Sequence, residues 1–407
     1  MPTLHNSPVT TANRLQGVEE YYFSAKLREI EQLNQAGKNI INLGIGSPDL
    51  PPHPEVIEVL HNESLKPNQH AYQSYKGSLV LRKAIANWYK RWYQVDLNPD
   101  TEILPLMGSK EGIMHICMTF INPGDLVLVP NPGYPTYQSA AKIAGATIAS
   151  YTLDANNHWY PDFEELLNII QTYRASVNEE QANRNVLLFV NYPHMPTGQL
   201  PTEALFQQLI QFALSHRILL IHDNPYSFIM NDKPLSIMNV PGAMETAIEL
   251  NSLSKSHNMA GWRIGMTVGS NNHIHEILRF KSNMDSGMFL PVQLAAAKAL
   301  ELEAEFHDEV NTVYADRKYW VKQLLQQLGC TFQEDQAGMF VWAAIPNTYA
   351  DGYALSDDIL YKAGVFITPG GIFGTAGNQY VRVSLCSSVE KIKAAVDRIQ
   401  AIESVVQ

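Results

Sequence analysis

Short apolar runs alternate with helix-like segments between about residues 70 and 270, and this alternation constrains the fold more than any other feature of the chain. The runs read EILPLM, LVLVP, TIASY, VLLFVN, ILLIHD, AIELNS and RIGMTVG. Segments such as GIMHICMTFI and EALFQQLIQFALSHR lie between some of them. Nearly continuous apolar strands that alternate with helices are typical of a mostly parallel sheet covered on both faces. The pattern therefore predicts an α/β fold with helices on both sides of the sheet.

The two ends of the chain predict a second, smaller domain. Residues 14–36 carry spaced apolar positions and predict a helix that ends near Gly37. From about residue 272 the pattern turns helical, and the C-terminal part mixes helices with the strand-like runs MFVWAAI and YVRVSL. We therefore expect a large domain at 51–294 and a small α+β domain at 295–407. The N-terminal segment, 1–50, is expected to pack with the small domain.

Charge and composition narrow the classes of function. The 407 residues carry a formal net charge of −11, which argues against nucleic acid or an anionic membrane as the main partner. The three cysteines show no CxxC or Cys/His spacing, so neither a disulfide framework nor a metal site is indicated. No apolar run reaches the roughly 18 residues of a membrane-spanning helix, and the N-terminus lacks an apolar signal region. The expectation is a cytoplasmic enzyme.

Reactive residue types follow several of the predicted strands. Asp223 follows ILLIH, and Ser252 and Lys255 follow AIELN. Ser109 in GSKEG follows EILPLM, and Tyr134 in PGYPTY follows LVLVP. Each residue alone has an ordinary structural explanation, such as a helix cap or a solvated lysine. Because ligands bind outside the carboxyl ends of strands in open α/β sheets, finding all of them there indicates one shared site.

Pyridoxal phosphate chemistry requires this set of residue types. The cofactor needs a lysine amine for its imine and an acidic partner for its ring nitrogen. Its phosphate is best held at a helix N-terminus with small residues and an arginine, and an aromatic face supports the ring. The residues that fill these roles are Lys255, Asp223 and Tyr134, with Ser109, Ser252 and Arg263 for the phosphate.

With these motifs the sequence resembles the class I/II aminotransferases of fold type I. The resemblance covers nearly the whole chain, from INLGIGSPD to YVRVSL. The segments GSKEGIMH and PNPGYPTY bring it nearest to the branch that includes LL-diaminopimelate aminotransferases. The resemblance implies a pyridoxal-phosphate enzyme that moves an amino group from an α-amino acid to a 2-oxo acid by a ping-pong mechanism.

The resemblance also implies a role for individual residues at the cofactor ring. Lys255 in SLSK matches the Schiff-base lysine, which also acts as the 1,3-proton shuttle. Asp223 in DNPY matches the carboxylate that keeps the ring nitrogen protonated. Tyr226 in the same motif matches the donor to the phenolic oxygen, and Tyr134 matches the aromatic residue that stacks on the ring.

Further matches concern the phosphate, the substrate and the subunit interface. The residues matched to phosphate binding are Ser109, Lys110, Ser252 and Arg263. Tyr72 in YQSYKG matches a tyrosine that reaches the neighbouring subunit's phosphate, which implies a homodimer with shared active sites. Arg382 in VRVS matches the clamp for the substrate α-carboxylate, and Gly46 matches a backbone contact beside it. The distal end of the substrate is expected to meet the partner subunit and the segment around Tyr21 and Tyr22.

The sequence departs from the family pattern at one place. The family shows Asn-Pro-Thr-Gly after the central strand, whereas this chain has Met195 in the asparagine's place. Methionine cannot donate the hydrogen bond that the asparagine gives to the phenolic oxygen of the cofactor. Asn191 and His194 are nearby in sequence, and nothing in the sequence shows that either substitutes.

Three alternatives compete with transamination. A carbon–sulfur lyase uses the same cofactor and would need Lys255, Asp223 and Arg382 as well, so the sequence separates the two poorly. A transcription regulator with an aminotransferase-like domain would need a DNA-binding domain, for which the residues before INLGIG are too few. A nicotinamide enzyme is disfavoured because GIGSPD lacks the third glycine of the dinucleotide-binding fingerprint.

Overall fold

A computed structural model of the chain describes residues 9–16 and 22–406, with side chains to residue 401. Its helices in chain order are α1 (Tyr22–Gln35), α2 (Pro54–Ser64), α3 (Leu79–Tyr93), α4 (Ser109–Phe120), α5 (Pro135–Ile143), α6 (Phe163–Ser176), α7 (Glu179–Ala182), α8 (Glu203–His216), α9 (Ala243–Thr246), α10 (Leu253–Ser256), α11 (Asn271–Lys281), α12 (Leu290–Leu300), α13 (Ala304–Gln327), α14 (Gly352–Ala363) and α15 (Val389–Val406). The strands are β1 (Ile41–Asn42), β2 (Ile103–Leu106), β3 (Leu126–Asn131), β4 (Thr147–Thr152), β5 (Val186–Asn191), β6 (Ile218–Asp223), β7 (Ala247–Ser252), β8 (Gly265–Gly269), β9 (Thr331–Phe332), β10 (Phe340–Ala344), β11 (Val365–Phe366), β12 (Thr368–Pro369) and β13 (Tyr380–Ser384).

The large domain is built on a seven-stranded sheet with the order β2-β8-β7-β6-β5-β3-β4. Strand β8 is antiparallel to both of its neighbours, and the other pairings are parallel. Alternate residues of β5 face opposite cores, because Leu187 packs with α4 and α5 whereas Leu188 packs with α6 and α8. The predicted α/β fold, with a mostly parallel sheet covered by helices, is therefore confirmed.

A smaller antiparallel sheet, β12-β13-β10-β9, belongs to the C-terminal part of the chain. The N-terminal part joins it, because β1 pairs in parallel with β11. Helix α1 adds an ion pair from Lys26 to Asp357, at 3.1 Å, on α14. The helix expected at residues 14–36 is found at Tyr22–Gln35; its expected start is wrong, because Asn13–Leu15 form a separate 3-10 turn that ends at an extended Gln16, and residues 17–21, with Tyr21, lie outside the described residues.

Helix α12 spans the position where the sequence predicts a domain boundary, between residues 294 and 295. The boundary falls inside this helix, which runs from Leu290 to Leu300 and packs against α2 and α3. The next helix, α13, packs instead against α15 and β10. The position of the domain boundary stays a prediction. Within the described ranges, no helix combines the length and the apolar character needed to cross a membrane.

Candidate active site

A cavity of about 370 Å³ opens at the carboxyl ends of the central strands, between the large sheet and β13. It collects most of the residues that the sequence predicted, although they are spread over more than half of the chain. The predicted residues that line it are Gly46, Ser109, Lys110, Tyr134, Asp223, Tyr226, Ser252, Lys255, Arg263 and Arg382. Of the residues predicted to bind the cofactor or the α-carboxylate, Tyr72 alone does not line this cavity; from the N-terminal segment expected at the distal end of the substrate, Phe23 and Leu27 line it.

Asp223 stands at the end of β6 and is only 4% exposed. One carboxylate oxygen, Oδ2, accepts a hydrogen bond of 2.8 Å from the Tyr137 hydroxyl. The other, Oδ1, is buried without a hydrogen-bond partner among the described residues. Burial raises the pKa of Asp223 to about 6, against the opposing effects of the Tyr137 hydrogen bond and of the neighbouring His222. The carboxyl group thus stays ionised at neutral pH and has an acceptor atom to offer.

Lys255 lies on the short helix α10, directly after β7, and its amine reaches into the same cavity. Its Nζ donates a hydrogen bond of 2.5 Å to the carbonyl oxygen of Gly46. Burial lowers the pKa of Lys255 to about 8, and the positive charges of Arg382 and Arg263 act in the same direction. A lysine with this pKa has a substantial neutral fraction near physiological pH, which nucleophilic attack requires.

An anion cradle lies where β2 turns into α4. The turn depends on Gly108, whose φ of +84° favours glycine and whose missing side chain leaves room for Arg263. A Cβ on Gly108 would come within 2.3 Å of Nη2 of that arginine. The first N–H groups of α4, at Ser109 and Lys110, have no partner within the helix. The guanidinium and the helix N-terminus therefore converge on one place, an arrangement suited to a phosphate.

Two serines beside Lys255 fix the local backbone. Ser252 caps α10, and its hydroxyl accepts the N–H of Ser254 at 3.1 Å and donates to the carbonyl of Ile264 at 3.2 Å. Arg263 donates to the hydroxyl of Ser254 at 3.4 Å and to the carbonyl of Ala260 at 2.8 Å. These bonds tie the lysine-bearing turn to the cradle.

Arg382 projects from β13 into the same cavity. Its Nη2 donates to the carbonyl of Gly44 at 3.0 Å. Its guanidinium carbon lies 3.8 Å from the ring centre of Phe340 and 4.6 Å from that of Phe373. Stacking between aromatic rings orients the planar guanidinium, which can then bind a carboxylate through two parallel hydrogen bonds.

Met195 occupies the place of the family's asparagine and lines the cavity. Its sulfur lies 3.3 Å from Nη1 of Arg382. Asn191 also lines the cavity, but its amide nitrogen donates to the carbonyl of Asp223 at 2.6 Å and its oxygen accepts the N–H of Met195 at 2.8 Å. His194 bonds through Nδ1 to Thr197 at 2.8 Å and is not part of the lining. Asn191 is thus engaged with the backbone, and His194 is engaged with a side-chain hydroxyl outside the lining.

Several lining residues were missed by the sequence analysis. Tyr137 was part of the quoted motif PGYPTY, one helical turn after Tyr134, and the two rings meet edge to face at 5.5 Å. That spacing was a signal that both tyrosines face the same side of α5. Phe340 and Phe373 carried no comparable signal, because only the packing of the small domain brings them to Arg382. The structure also explains why position 46 is a glycine, because a Cβ there would come within 2.4 Å of the Phe340 ring.

Tyr72 lies outside the cavity and is 93% exposed. Its segment is anchored by a bridge between Gln73 and Gly287. The single chain therefore leaves a large aromatic side chain in solvent at a fixed position.

A second polar cluster joins α4 to the segment after α11, where ligand atoms of Glu111, His115 and Asp285 lie within 4.8 Å of one another. The Lys281 ammonium stands in this cluster, at 2.6 and 2.5 Å from the two carboxylate oxygens of Asp285. Glu111 accepts the N–H of Met107 at 2.6 Å and so supports the turn before the cradle. The lysine already supplies the positive charge that a metal ion would bring.

The lining of the cavity fits pyridoxal phosphate. Its charged residues are four cations (Lys110, Lys255, Arg263 and Arg382) and one carboxylate, Asp223. Such a lining suits a ligand set with two anionic groups, such as a phosphate and a substrate carboxylate. The unpartnered Oδ1 of Asp223 matches the protonated ring nitrogen of the cofactor. Fold and site together define a pyridoxal-phosphate enzyme of fold type I.

Comparisons with known proteins agree with this class of enzyme. The family model for aminotransferase class I and II matches residues 38–399. The chain is 41% identical over 399 residues to the LL-diaminopimelate aminotransferase of Oleidesulfovibrio alaskensis, covering 97% of this chain and 99% of that protein. The enzyme of that name from Moorella thermoacetica is 38% identical, with 96% and 98% covered. Substrate-bound BacF from Bacillus subtilis has a TM-score of 0.89 at 36% identity, covering 97% of this chain and 98% of that one.

The chain belongs to the class I and II aminotransferase family. Enzymes of this family depend on pyridoxal phosphate, and this protein is a pyridoxal-phosphate-dependent aminotransferase. The predicted family, cofactor and activity are confirmed, and the carbon–sulfur lyase alternative is not favoured by the relatives.

Proposed function

We propose that the protein carries out transamination between an α-amino acid and a 2-oxo acid with Lys255 as the reactive amine and Arg382 as the carboxylate clamp. The observation that carries this proposal is their convergence in one cavity with Asp223 and the anion cradle. The two arginines lie on different elements, Arg263 just before β8 and Arg382 on β13. This leaves separate places for the cofactor phosphate and the substrate carboxylate.

Pyridoxal phosphate, when bound, supplies an electron sink for negative charge that develops at the substrate α-carbon. Asp223 would hold the proton of the ring nitrogen through Oδ1, while Tyr137 fixes Oδ2. Lys255 would take a proton from the substrate α-carbon at Nζ and pass it to the cofactor carbon on the other side of the substrate nitrogen. Its pKa of about 8 favours both transfers. Tyr226, which also lines the cavity, would donate to the phenolic oxygen, and Tyr134 would cover a face of the ring.

The anionic groups would be held at the two ends of the cavity. The N-terminus of α4 at Ser109 and Lys110, the Ser252 hydroxyl and Arg263 would bind the phosphate. Arg382 would bind the α-carboxylate through both terminal nitrogens, beside the backbone of Gly46. Since the cradle suits a tetrahedral phosphate and Arg382 suits a planar carboxylate, the reacting α-carbon would be positioned between Lys255 and the ring.

The donor is the finer part of the proposal. The curated relatives bear the name LL-diaminopimelate aminotransferase, so we propose LL-diaminopimelate as the first donor to test. The purified enzyme would be incubated with this compound and a panel of other amino acids, with 2-oxoglutarate as acceptor. We expect glutamate to form with at least one donor, and the Lys255→Ala variant is the control.

A half-reaction makes this experiment sharper. Addition of the donor without acceptor should release about one equivalent of 2-oxo acid per active site, as expected for ping-pong kinetics. Repeated turnover with release of ammonia would contradict transamination. Transfer from other amino acids but not from LL-diaminopimelate would contradict only the choice of donor.

We further propose that the enzyme is a homodimer in which Tyr72 completes the site of the partner subunit. The exposure of this tyrosine on an anchored segment supports the proposal. The test is to refold two weakly active variants together, Lys255→Ala and Tyr72→Ala, so that mixed dimers form. Each mixed dimer would contain one intact site, so about one quarter of the wild-type activity should return if subunits pair at random. No recovery from dimers shown to be mixed would contradict the shared site.

We also propose a cytoplasmic location. Support comes from the cysteines, since Cys117, Cys330 and Cys386 are all free thiols, and free thiols are usual in reducing compartments. Fractionation of native cells, with activity measured in each fraction, tests the location.

A further inference from the structure

A buried pair of ionisable side chains, His222 and Glu249, lies directly behind the site. Both side chains are 0% exposed, and the two residues face each other across β6 and β7. Nδ1 of His222 is 2.8 Å from Oε2 of Glu249. His222 immediately precedes Asp223, and because side chains alternate along a strand, the pair occupies the opposite face of the sheet.

The hydrogen-bond partners of His222 indicate how many protons its ring nitrogens carry. Its Nε2 lies 2.9 Å from the carbonyl oxygen of Tyr192, which can only accept, so Nε2 carries a hydrogen. If Nδ1 lacked a hydrogen, its lone pair would face a carboxylate oxygen at 2.8 Å. A proton must therefore lie between Nδ1 and Oε2.

The surroundings of Glu249 decide which partner keeps that proton. Three other donors point at its carboxylate: the Tyr89 hydroxyl at 2.9 Å, the Ser236 hydroxyl at 2.8 Å and the backbone N–H of Ile237 at 3.1 Å. The Ser236 oxygen accepts the N–H of Met238, so its own hydrogen is free to donate. With His222 the carboxylate receives four donors, which fills the acceptor sites of the ionised form. The proton consequently rests on the imidazole.

We propose that His222 is an imidazolium, protonated at both nitrogens and held by the Glu249 carboxylate, and that its positive charge keeps Asp223 ionised. The proposal rests on the proposed role of Asp223 at the cofactor ring. His222 contacts neither cofactor nor substrate in this arrangement, so it is a positioning residue that acts through its neighbour.

The groups around the pair agree with one positive charge on His222 and one negative charge on Glu249. Helix α3 presents Tyr89 and Tyr93 to Glu249, and helix α8 presents the ring of Phe206 at 4.9 Å from His222. Glu249 is the only carboxylate that contacts His222 among the described residues. Burial raises the pKa of Asp223, and the charge of His222 opposes that rise from the far side of the strand. Without it, the carboxyl group would take up a proton closer to neutral pH.

Neutron diffraction from crystals of the holoenzyme at pH 8 tests the first half of the proposal without any substitution. Nuclear density for deuterium on both Nδ1 and Nε2 of His222, with none on Glu249, is the expected result. Deuterium on the Glu249 carboxyl group, or on one imidazole nitrogen alone, would overturn the proposal.

The second half is tested by the His222→Gln variant, which retains hydrogen-bonding capacity but loses the charge. The affinity of the cofactor-free enzyme for pyridoxal phosphate would be measured by fluorescence between pH 5.5 and 8.5. We expect the acid-side midpoint to rise by about one pH unit. The matched control is His307→Gln, because burial lowers the pKa of His307 to about 4 and this buried histidine is neutral. An unchanged midpoint in a folded His222→Gln enzyme would refute the electrostatic role.

A third variant separates this inference from the proposed function. Asp223→Asn should abolish the acid-side midpoint altogether, whatever the state of His222. If Asp223→Asn behaved like the wild type, the role of Asp223 itself would be wrong. If Asp223→Asn behaved as expected while His222 carried a single proton, only the inference would fail.

Discussion

The neutral amine of Lys255 can be measured directly in the enzyme freed of its cofactor. Its pKa is lowered to about 8, first by burial and then by the charges of Arg382 and Arg263, from an ordinary value of 10.5. At pH 7.5 roughly one quarter of this amine would be neutral, against about one in a thousand for an ordinary lysine. The expected difference in reactivity toward an acylating reagent is therefore on the order of two-hundredfold.

Competitive labelling with trace acetic anhydride between pH 6.5 and 11, read by mass spectrometry of the Lys255 peptide, measures the midpoint. Lys298 is the internal control, because its hydrogen bond to Glu55 raises its pKa above the ordinary value. We expect Lys255 to titrate near pH 8, well before Lys298. A Lys255 midpoint at or above that of Lys298 would refute the argument from burial, and with it the claim that the free amine is prepared for attack.

Three further predictions follow from the site. Asp223→Ala should lower turnover on the order of a thousandfold, because charge at the α-carbon loses its stabilisation, while some cofactor still binds through its phosphate. Arg382→Lys should raise KM for the amino donor roughly tenfold or more, since an ammonium cannot make the paired hydrogen bonds of a guanidinium. Met195→Asn should lower the pH midpoint of the enzyme's visible absorption by about 1–2 units, because a donor to the phenolic oxygen is restored. Steady-state kinetics checks the first two, and coincident spectrophotometric titrations of wild type and variant would contradict the third.

The local sequence was sufficient to predict the strands of the large sheet. The runs VLLFVN and ILLIHD coincide with β5 and β6 residue for residue. Their apolar residues are continuous because both faces of the sheet are covered, and this pattern is visible without knowledge of the partners. The predicted residues at strand ends were likewise brought together, since the carboxyl ends of parallel strands meet at one edge.

The region around residues 294 and 295, where we expect the domain boundary, shows what local pattern leaves open. Helix α12 continues through it, because its alanine-rich surface packs closely on α2 and α3. The helical periodicity is the same on both sides of the expected boundary. Only the choice of packing partner distinguishes the large domain from the small one.

The sequence by itself determined the fold class and the cofactor chemistry, because each depends on residue types at fixed positions relative to a strand. The tertiary structure alone decided the contacts between distant segments. These contacts include the hydrogen bond from Tyr137 to Asp223 and the packing of Phe340 and Phe373 on Arg382. They also include the pairing of His222 with Glu249. The register between β6 and β7 brings His222 to Glu249, and the packing of the small sheet brings the two phenylalanines to Arg382. Neither leaves a periodic signal in the chain, since the partners are far apart in sequence and meet only after the sheet has formed.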